Sequence, residues 1–140
     1  MAANDEPEAV LLQKSQIAIV DDDQSFRDSM RRLLKSLDYA VVVFPSAAEF
    51  LASPKLATTA CLVADVHMPE MSGIELYKHL SERSGTIPTI LVTAYPDDGV
   101  QERMLTLGVE CYLRKPLVEK VLIDCLRSAV ARGKPHRDAP

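Results

Sequence analysis

The sequence lacks three features that would each mark a class of protein. No apolar run approaches the roughly 18 residues that a membrane-spanning helix needs, and the N-terminal segment MAANDEPEAV is acidic where a signal peptide would be basic. An excess of positive charge is also missing, because the net charge is −4, and this argues against direct binding to nucleic-acid phosphates. We therefore expect a cytoplasmic protein with neither a membrane anchor nor a direct nucleic-acid partner.

Cysteine is scarce, and its spacing forms no recognisable motif. The three cysteines, Cys61, Cys111 and Cys125, are an odd number with neither C-x-x-C nor metal-ligand spacing. Each lies within an apolar run, where a free cysteine behaves as a small hydrophobic residue. The sequence therefore predicts three buried free thiols.

The apolar residues that are present follow the pattern of an α/β domain. Short β-branched runs are typical of strands buried in a parallel sheet, and they predict strands at 17–20, 40–44, 60–64, 89–93 and 110–114. Five amphipathic helices alternate with them: the first is capped by Asp23, the second begins with a Ser46–Glu49 capping box, the fourth ends at Gly108, and the fifth runs from Leu117 to Gly133.

These elements predict a doubly wound, five-stranded parallel sheet with helices on both faces. The pattern fills the middle of the chain, so we expect one folded domain at residues 16–131. Residues 1–15 are predicted to be a disordered N-terminal extension, and residues 132–140 a flexible tail.

Polar side chains follow the predicted strands. Asp21 and Asp22 come after the first strand, Asp65 after the third, Thr93 closes the fourth, and Lys115 follows the fifth. Ligands of open α/β sheets bind beyond the carboxyl ends of the strands, so these groups are expected to converge. Two carboxylates about 4 Å apart repel by about 4 kcal/mol at an effective dielectric constant of about 20. A cation is therefore implied, and an all-oxygen, partly hydrated site favours Mg²⁺, with Mn²⁺ as the alternative.

Four motifs occur in order along this framework: IVDDD at 19–23, ADVHMPEMSGIEL at 64–76, ILVTAY at 90–95 and YLRKPL at 112–117. In sequence and spacing they resemble the receiver domain of response regulators, the phosphoacceptor module of two-component signalling. The similarity runs from about Ile17 to Val130, and it implies a CheY-like, flavodoxin-like fold with strand order 2-1-3-4-5. MPEMSG and the fourth helix are most similar to receivers of the nitrogen-fixation and nodulation type.

The resemblance implies a role for each site residue. Asp65 becomes the phosphoacceptor, which attacks a phosphohistidine. The implied Mg²⁺ ligands are Asp21, Asp22, Asp65 and the backbone carbonyl of His67. The implied phosphoryl-binding groups are Thr93, the backbone amide of Ala94, and Lys115. Thr93 and Tyr112 would form the switch pair, and Lys115–Pro116 is the position of a cis peptide in such domains.

The resemblance also implies partners. A histidine kinase or phosphotransfer protein would donate the phosphoryl group, and the face formed by the fourth helix, fifth strand and fifth helix would then bind a downstream protein or a second copy of the chain. The chain would be a phosphoacceptor that dephosphorylates itself rather than a turnover enzyme. About ten residues follow the fifth helix, too few for an effector domain, so we expect output through protein contacts, from either a stand-alone receiver or one taken from a longer DNA-binding regulator.

Three alternatives fit the same elements less well. In an aspartate-nucleophile phosphatase of the haloacid dehalogenase type, Asp21 would be the nucleophile, but the acidic pair expected after the fourth strand is replaced by TAYP at 93–96. A vestigial receiver that only binds partners conflicts with the intact set of acidic, threonine and lysine positions. A flavodoxin-like FMN carrier lacks a phosphate-binding loop rich in Ser, Thr and Gly after the first strand.

Overall fold

A computed structural model describes residues 14–83 and 87–133 of the chain. Within these residues, five parallel strands form one sheet in the order β2-β1-β3-β4-β5. The strands are β1 Gln16–Val20, β2 Ala40–Phe44, β3 Thr59–Asp65, β4 Thr89–Thr93 and β5 Cys111–Arg114. The predicted fold class and strand order are confirmed, and each strand end lies within one residue of its predicted position.

Helices connect the strands and cover both faces of the sheet. They are α1 Gln24–Ser36, α2 Ala47–Ala52, α3 Gly73–Ser81, α4 Asp98–Leu107 and α5 Glu119–Gly133. A 3₁₀ turn, Pro54–Thr58, precedes β3 and was not predicted from the sequence. The last helix begins at Glu119 rather than at the predicted Leu117, because the Val118 carbonyl accepts the first intrahelical hydrogen bond, from the Leu122 amide.

Capping residues fix the helix ends. Asp23 caps α1 as predicted, since its carboxylate accepts hydrogen bonds from the amides of the first turn. Gly108 ends α4 as predicted, with a φ of 118° that favours glycine. The predicted capping box at α2 is wrong, because Ser46 accepts a bond from the Glu49 amide but the return bond is not formed among the described residues. A complete capping box instead opens α3, at Ser72 and Glu75.

The core consists of two apolar layers, one on each face of the sheet. Side chains alternate along β1: Ala18 and Val20 pack with α2, α3 and α4, whereas Ile17 and Ile19 pack with α1 and α5. Both layers are fully buried at the central strands. Strand β2 is only half-buried, because it is an edge strand that pairs with β1 alone.

The cysteines differ from the prediction. Cys111 of β5 and Cys125 of α5 form a disulfide, with Cα atoms 6.4 Å apart, a separation that suits a disulfide. Cys61 is free and fully buried, and burial, together with the charge of Glu110, raises the pKa of its thiol. The prediction of three free thiols is wrong because an apolar pattern indicates burial of each cysteine but not which cysteines meet across a strand and a helix.

The predicted flexible ends fall mostly outside the described residues. Of residues 1–15 and 132–140, the structure describes 14, 15, 132 and 133. The predicted domain limits at 16 and 131 therefore stay a prediction.

Candidate functional site

The acidic residues at the ends of β1 and β3 lie side by side at the carboxyl edge of the sheet. Val20 of β1 pairs with Ala64 of β3, and Asp21 and Asp65 come directly after this pair. Both aspartates are buried, with exposed fractions of 0% and 6%. Parallel register thus places two carboxylates side by side in a region where ionised groups are poorly solvated.

Asp21 is held by hydrogen bonds on both carboxylate oxygens. Its Oδ1 accepts a bond of 2.9 Å from the Asp23 amide, and its Oδ2 accepts one of 2.8 Å from the Lys115 ammonium. Its backbone carbonyl accepts a third bond, 2.8 Å long, from the Arg27 guanidinium on α1. These contacts fix the orientation of the Asp21 carboxylate and satisfy its charge.

Lys115 lies between the two buried carboxylates. Its Nζ is 2.8 Å from Asp21 Oδ2 and 3.4 Å from Asp65 Oδ1, and it also lies over the ring of Phe26, 4.2 Å from the centroid. Burial alone would lower the pKa of the Lys115 ammonium, but the hydrogen bond and charge of Asp21, reinforced by Asp65, outweigh it and raise the pKa. The lysine is therefore a fixed positive charge at the sheet edge.

The environment of the site raises the pKa of the Asp65 carboxyl. Burial raises its pKa from the ordinary value of 3.8 to about 6; the charge of Asp21 acts in the same direction, Lys115 opposes it, and Asp22 adds a smaller increase. Near neutral pH the group is still mostly ionised, at about 90% for a pKa one unit below the pH. A buried, ionised carboxylate of this kind is a candidate nucleophile.

Three carboxylates at this edge could hold a metal ion. Oxygen atoms of Asp21, Asp22 and Asp65 all lie within 4.8 Å of one another. An oxygen-only donor set of this charge fits a hard divalent cation such as Mg²⁺. Asp22 is exposed, so the cluster is open to solvent on one side, as an ion that retains several waters requires.

The other predicted site residues lie at the ends of β3 and β4, on the same edge of the sheet. Thr93 is fully buried, and its hydroxyl oxygen accepts a 2.9 Å hydrogen bond from the Tyr95 amide. Ala94, which follows it, is exposed. The exposed side chain of His67 packs edge-on against the exposed ring of Tyr95, with centroids 5.7 Å apart. The roles implied for the Ala94 amide and the His67 carbonyl stay predictions.

Tyr112 lies on β5, and its hydroxyl points to the start of α4. The side chain is 9% exposed, and its oxygen accepts a 3.2 Å hydrogen bond from the Asp97 amide. Asp97 is the N-cap of α4, since its carboxylate accepts a bond from the Val100 amide. Tyr112, the predicted switch residue, is thus hydrogen-bonded to the N-terminus of α4, and this helix begins shortly after Thr93.

The connection that follows β5 also starts at the site. Its Lys115–Pro116 peptide bond is cis.

Sequence reasoning missed two residues that shape the site. No site role is predicted for Phe26 from the sequence, yet its ring lies against the Lys115 ammonium. Gly73 opens α3 so close to β3 that a Cβ would overlap the Asp65 carbonyl oxygen. An aromatic residue in the first turn after an acidic strand end was the available signal for Phe26; nothing local to Gly73 reveals the close approach.

The fold is a doubly wound α/β sheet with an acidic cluster and a lysine at its carboxyl edge. The family model of the response regulator receiver domain matches residues 17–127, which is well over half of the chain. The protein belongs to this family, and it is a receiver domain of a two-component system.

Named relatives carry the same segment. Transcriptional regulatory protein TdiR of Thauera aromatica is 36% identical over 124 residues, which cover 89% of this chain and 55% of TdiR. Transcriptional regulatory protein FixJ of Bradyrhizobium diazoefficiens is 32% identical over 122 residues, 87% of this chain and 60% of FixJ. The solved structure of response regulator StyR matches with a TM-score of 0.82 and 36% identity, over 90% of this chain and 64% of StyR.

These matches support the predicted similarity to nitrogen-fixation and nodulation receivers, since nodulation protein W of B. diazoefficiens is also 34% identical over 126 residues. The chain spans little more than half the length of the curated relatives it matches. Among the described residues, none of the helices has the length and apolar character required to cross a bilayer.

Proposed function

We propose that this receiver domain accepts a phosphoryl group on Asp65, in a Mg²⁺-dependent transfer from a histidine kinase or a phosphotransfer protein in the cytoplasm. The observation that carries the proposal is the convergence of three carboxylates and one ammonium at a single sheet edge. Asp65 is the member of this cluster that is both buried and paired only loosely with Lys115, at 3.4 Å.

Each of three side chains has a separate role in the transfer. Asp65 supplies the attacking oxygen, which forms a P–O bond as the P–N bond of the donor's phosphohistidine breaks and the histidine leaves. The Asp65 pKa of about 6 leaves the carboxyl mostly ionised at neutral pH. Lys115 places a positive charge beside the oxygens of the incoming group. Thr93 uses its hydroxyl oxygen as an acceptor, which leaves its hydroxyl hydrogen to donate to a phosphoryl oxygen at Asp65.

The metal site fits this chemistry. Asp21, Asp22 and Asp65 would hold the ion, with the His67 carbonyl as a further ligand. When bound, Mg²⁺ supplies positive charge to the oxygens of a loose phosphoryl-transfer transition state. The protein residues position the acceptor and neutralise charge, which is most of what such a transfer requires.

Intact mass after incubation with acetyl phosphate tests the proposal. We expect one phosphoryl adduct in the presence of Mg²⁺, none with EDTA, and none in Asp65→Asn. Asp124→Asn, at an exposed carboxylate on α5, is the matched control and should be modified like wild type. An adduct that forms in Asp65→Asn, or steady turnover of a phosphate ester in place of a stoichiometric adduct, would refute the assignment.

We also propose that phosphorylation acts on α4, β5 and α5 to create a surface for a downstream protein or for a second copy of the chain. The support is the hydrogen bond from the α4 N-cap to the Tyr112 hydroxyl, which links β5 to α4. Large apolar side chains are exposed on and beside these elements, namely Leu105, Leu107, Val118 and Val121. Exposed apolar groups of this size favour association.

Size-exclusion chromatography with light scattering tests the dimer form of this output. Wild type should gain mass on addition of Mg²⁺ and beryllofluoride, a phosphoryl mimic, and Val121→Lys should bind the mimic but stay monomeric. A constant mass for wild type that has bound the mimic would rule out the dimer and leave a different protein as the partner.

A further inference from the structure

We infer that Phe26 is a positioning residue for phosphoryl transfer, because its ring holds the Lys115 ammonium beside the acceptor carboxylate. The inference rests on the proposed function and deepens it. The Lys115 Nζ lies 4.2 Å from the centroid of the Phe26 ring, well inside the distance of about 6 Å at which a cation is attracted to an aromatic face.

The ring and the two aspartates form three sides of a pocket for one ammonium. Asp21 lies 2.8 Å and Asp65 3.4 Å from Nζ, and the side chain of Lys115 is only 18% exposed. A lysine has many rotamers, and confining one to a single position costs conformational entropy. The aromatic face offsets part of this cost without adding a negative charge to a cluster that already has three.

The position of the ring is fixed by the loop that also carries the acidic residues. Asp23 donates its amide to Asp21 Oδ1, at 2.9 Å, and its own carboxylate accepts from the Phe26 amide, at 3.4 Å. The ring itself is partly buried against the apolar layer beneath α1. The backbone of the first turn of α1 is therefore coupled to Asp21 through two amide–carboxylate hydrogen bonds, and packing against the apolar layer limits the movement of the ring.

The aromatic contact matters most when a metal ion is bound. Oδ2 of Asp21 accepts from Lys115 in this structure, and Asp21 is also a member of the candidate metal cluster. A metal ion bound at this carboxylate would weaken its hold on the ammonium, since the two cations would share the negative charge of one carboxylate. The Phe26 face carries no such competition, so it continues to hold Lys115 next to Asp65.

Phe26→Leu, Phe26→Tyr and wild type should separate this role from simple packing. Leucine keeps an apolar side chain but has no aromatic face, and we expect the affinity for beryllofluoride, measured by fluorine NMR at saturating Mg²⁺, to fall about 3- to 30-fold. Tyrosine keeps the aromatic face and should restore affinity to within about twofold of wild type. Leu34→Met, which alters a buried side chain two turns further along α1, is the matched control and should bind like wild type.

Two measurements distinguish loss of the aromatic contact from general damage to α1. The Mg²⁺ affinity, measured by calorimetry, should be unchanged or tighter in Phe26→Leu, because the ammonium competes with the metal for Asp21. In a Lys115→Met background, Phe26→Leu should have no further effect on beryllofluoride binding. Parallel losses of Mg²⁺ and beryllofluoride affinity, or additive effects in the double variant, would overturn the inference.

Ring fluorination gives a second test in which the fold is preserved. Fluorinated phenylalanines placed at position 26 keep the apolar shape while they progressively remove electron density from the ring face. The affinity for beryllofluoride should decline with each added fluorine, and a flat series would overturn the inference. If wild type itself fails to bind beryllofluoride, the proposed function fails; if wild type binds and the Phe26 variants bind equally well, only the role of Phe26 fails.

Discussion

Asp65→Asn should make the metal-free protein more stable, although it removes the acceptor of the proposed reaction. The folded-state pKa of Asp65 is about 6, against 3.8 ordinarily. Because the folded value is the higher one, ionisation of this carboxyl favours unfolding. Its stabilising contribution is complete below about pH 4, and it is lost as the pH rises through about 6.

The size of the effect follows from the same two values. A difference between 3.8 and about 6 corresponds to about 3 kcal/mol when the group is fully ionised in both states. Asparagine resembles the protonated carboxyl in shape and carries no charge, so it escapes this cost. Asp65→Asn should therefore raise the free energy of unfolding by about 3 kcal/mol near pH 8 and by roughly half as much near pH 5.

Urea denaturation in EDTA, at several pH values between 5 and 8, measures the difference between variant and wild type. Asp124→Asn, at an exposed carboxylate that pairs with Lys120, should stay within about 0.5 kcal/mol of wild type at every pH. Added Mg²⁺ should reverse part of the difference, since it stabilises wild type by mass action. A gain in stability that does not change with pH, or a loss at pH 8, would refute the reasoning.

Three other substitutions test separate parts of the fold. Cys125→Ser removes the bond to Cys111, which closes a loop of sequence separation 14, and urea denaturation should show a loss of about 3 kcal/mol relative to the oxidised wild type but little relative to the reduced protein. Gly73→Ala places a methyl group on the Asp65 carbonyl oxygen, so thermal melts should show a destabilisation of about 1–3 kcal/mol. Tyr112→Phe removes the acceptor for the N-cap amide of α4; hydrogen exchange in that helix should quicken, as expected for a loss of about 1 kcal/mol.

The strands and the acidic edge were predictable because each depends on a short-range pattern. β-branched apolar runs identify buried parallel strands, and a residue that directly follows such a run must lie at the carboxyl edge of the sheet. Asp21, Asp65 and Lys115 are all found there by this argument. The distances of 2.8 Å and 3.4 Å from the Lys115 ammonium to the two carboxylates come from the structure alone.

The remaining features depend on which side chains meet, and no local pattern contains that information. The apolar stripe of α1 includes Phe26 and predicts that the ring faces inward. It does not predict that the first turn of α1 lies beside Lys115, which is 89 positions away in the chain. The pairing of Cys111 with Cys125 likewise requires the packing of α5 on β5. The S-x-x-E pattern occurs at both Ser46 and Ser72, and only the structure shows that the glutamate side chain reaches back at Ser72.

The charges at the sheet edge explain how a lysine and a metal ion can share one site. Three carboxylates face one ammonium, which leaves two uncompensated negative charges. An anionic phosphoryl group brought to Asp65 would add a repulsion of about 4 kcal/mol for each close pair of charges, so two further positive charges are required before it can be held. Lys115 is already fixed by Asp21 and Phe26 and is thus part of the fold, whereas the metal has to be recruited from solution. Phosphoryl mimics should therefore bind weakly without a divalent cation, even though Lys115 already lies beside the carboxylates.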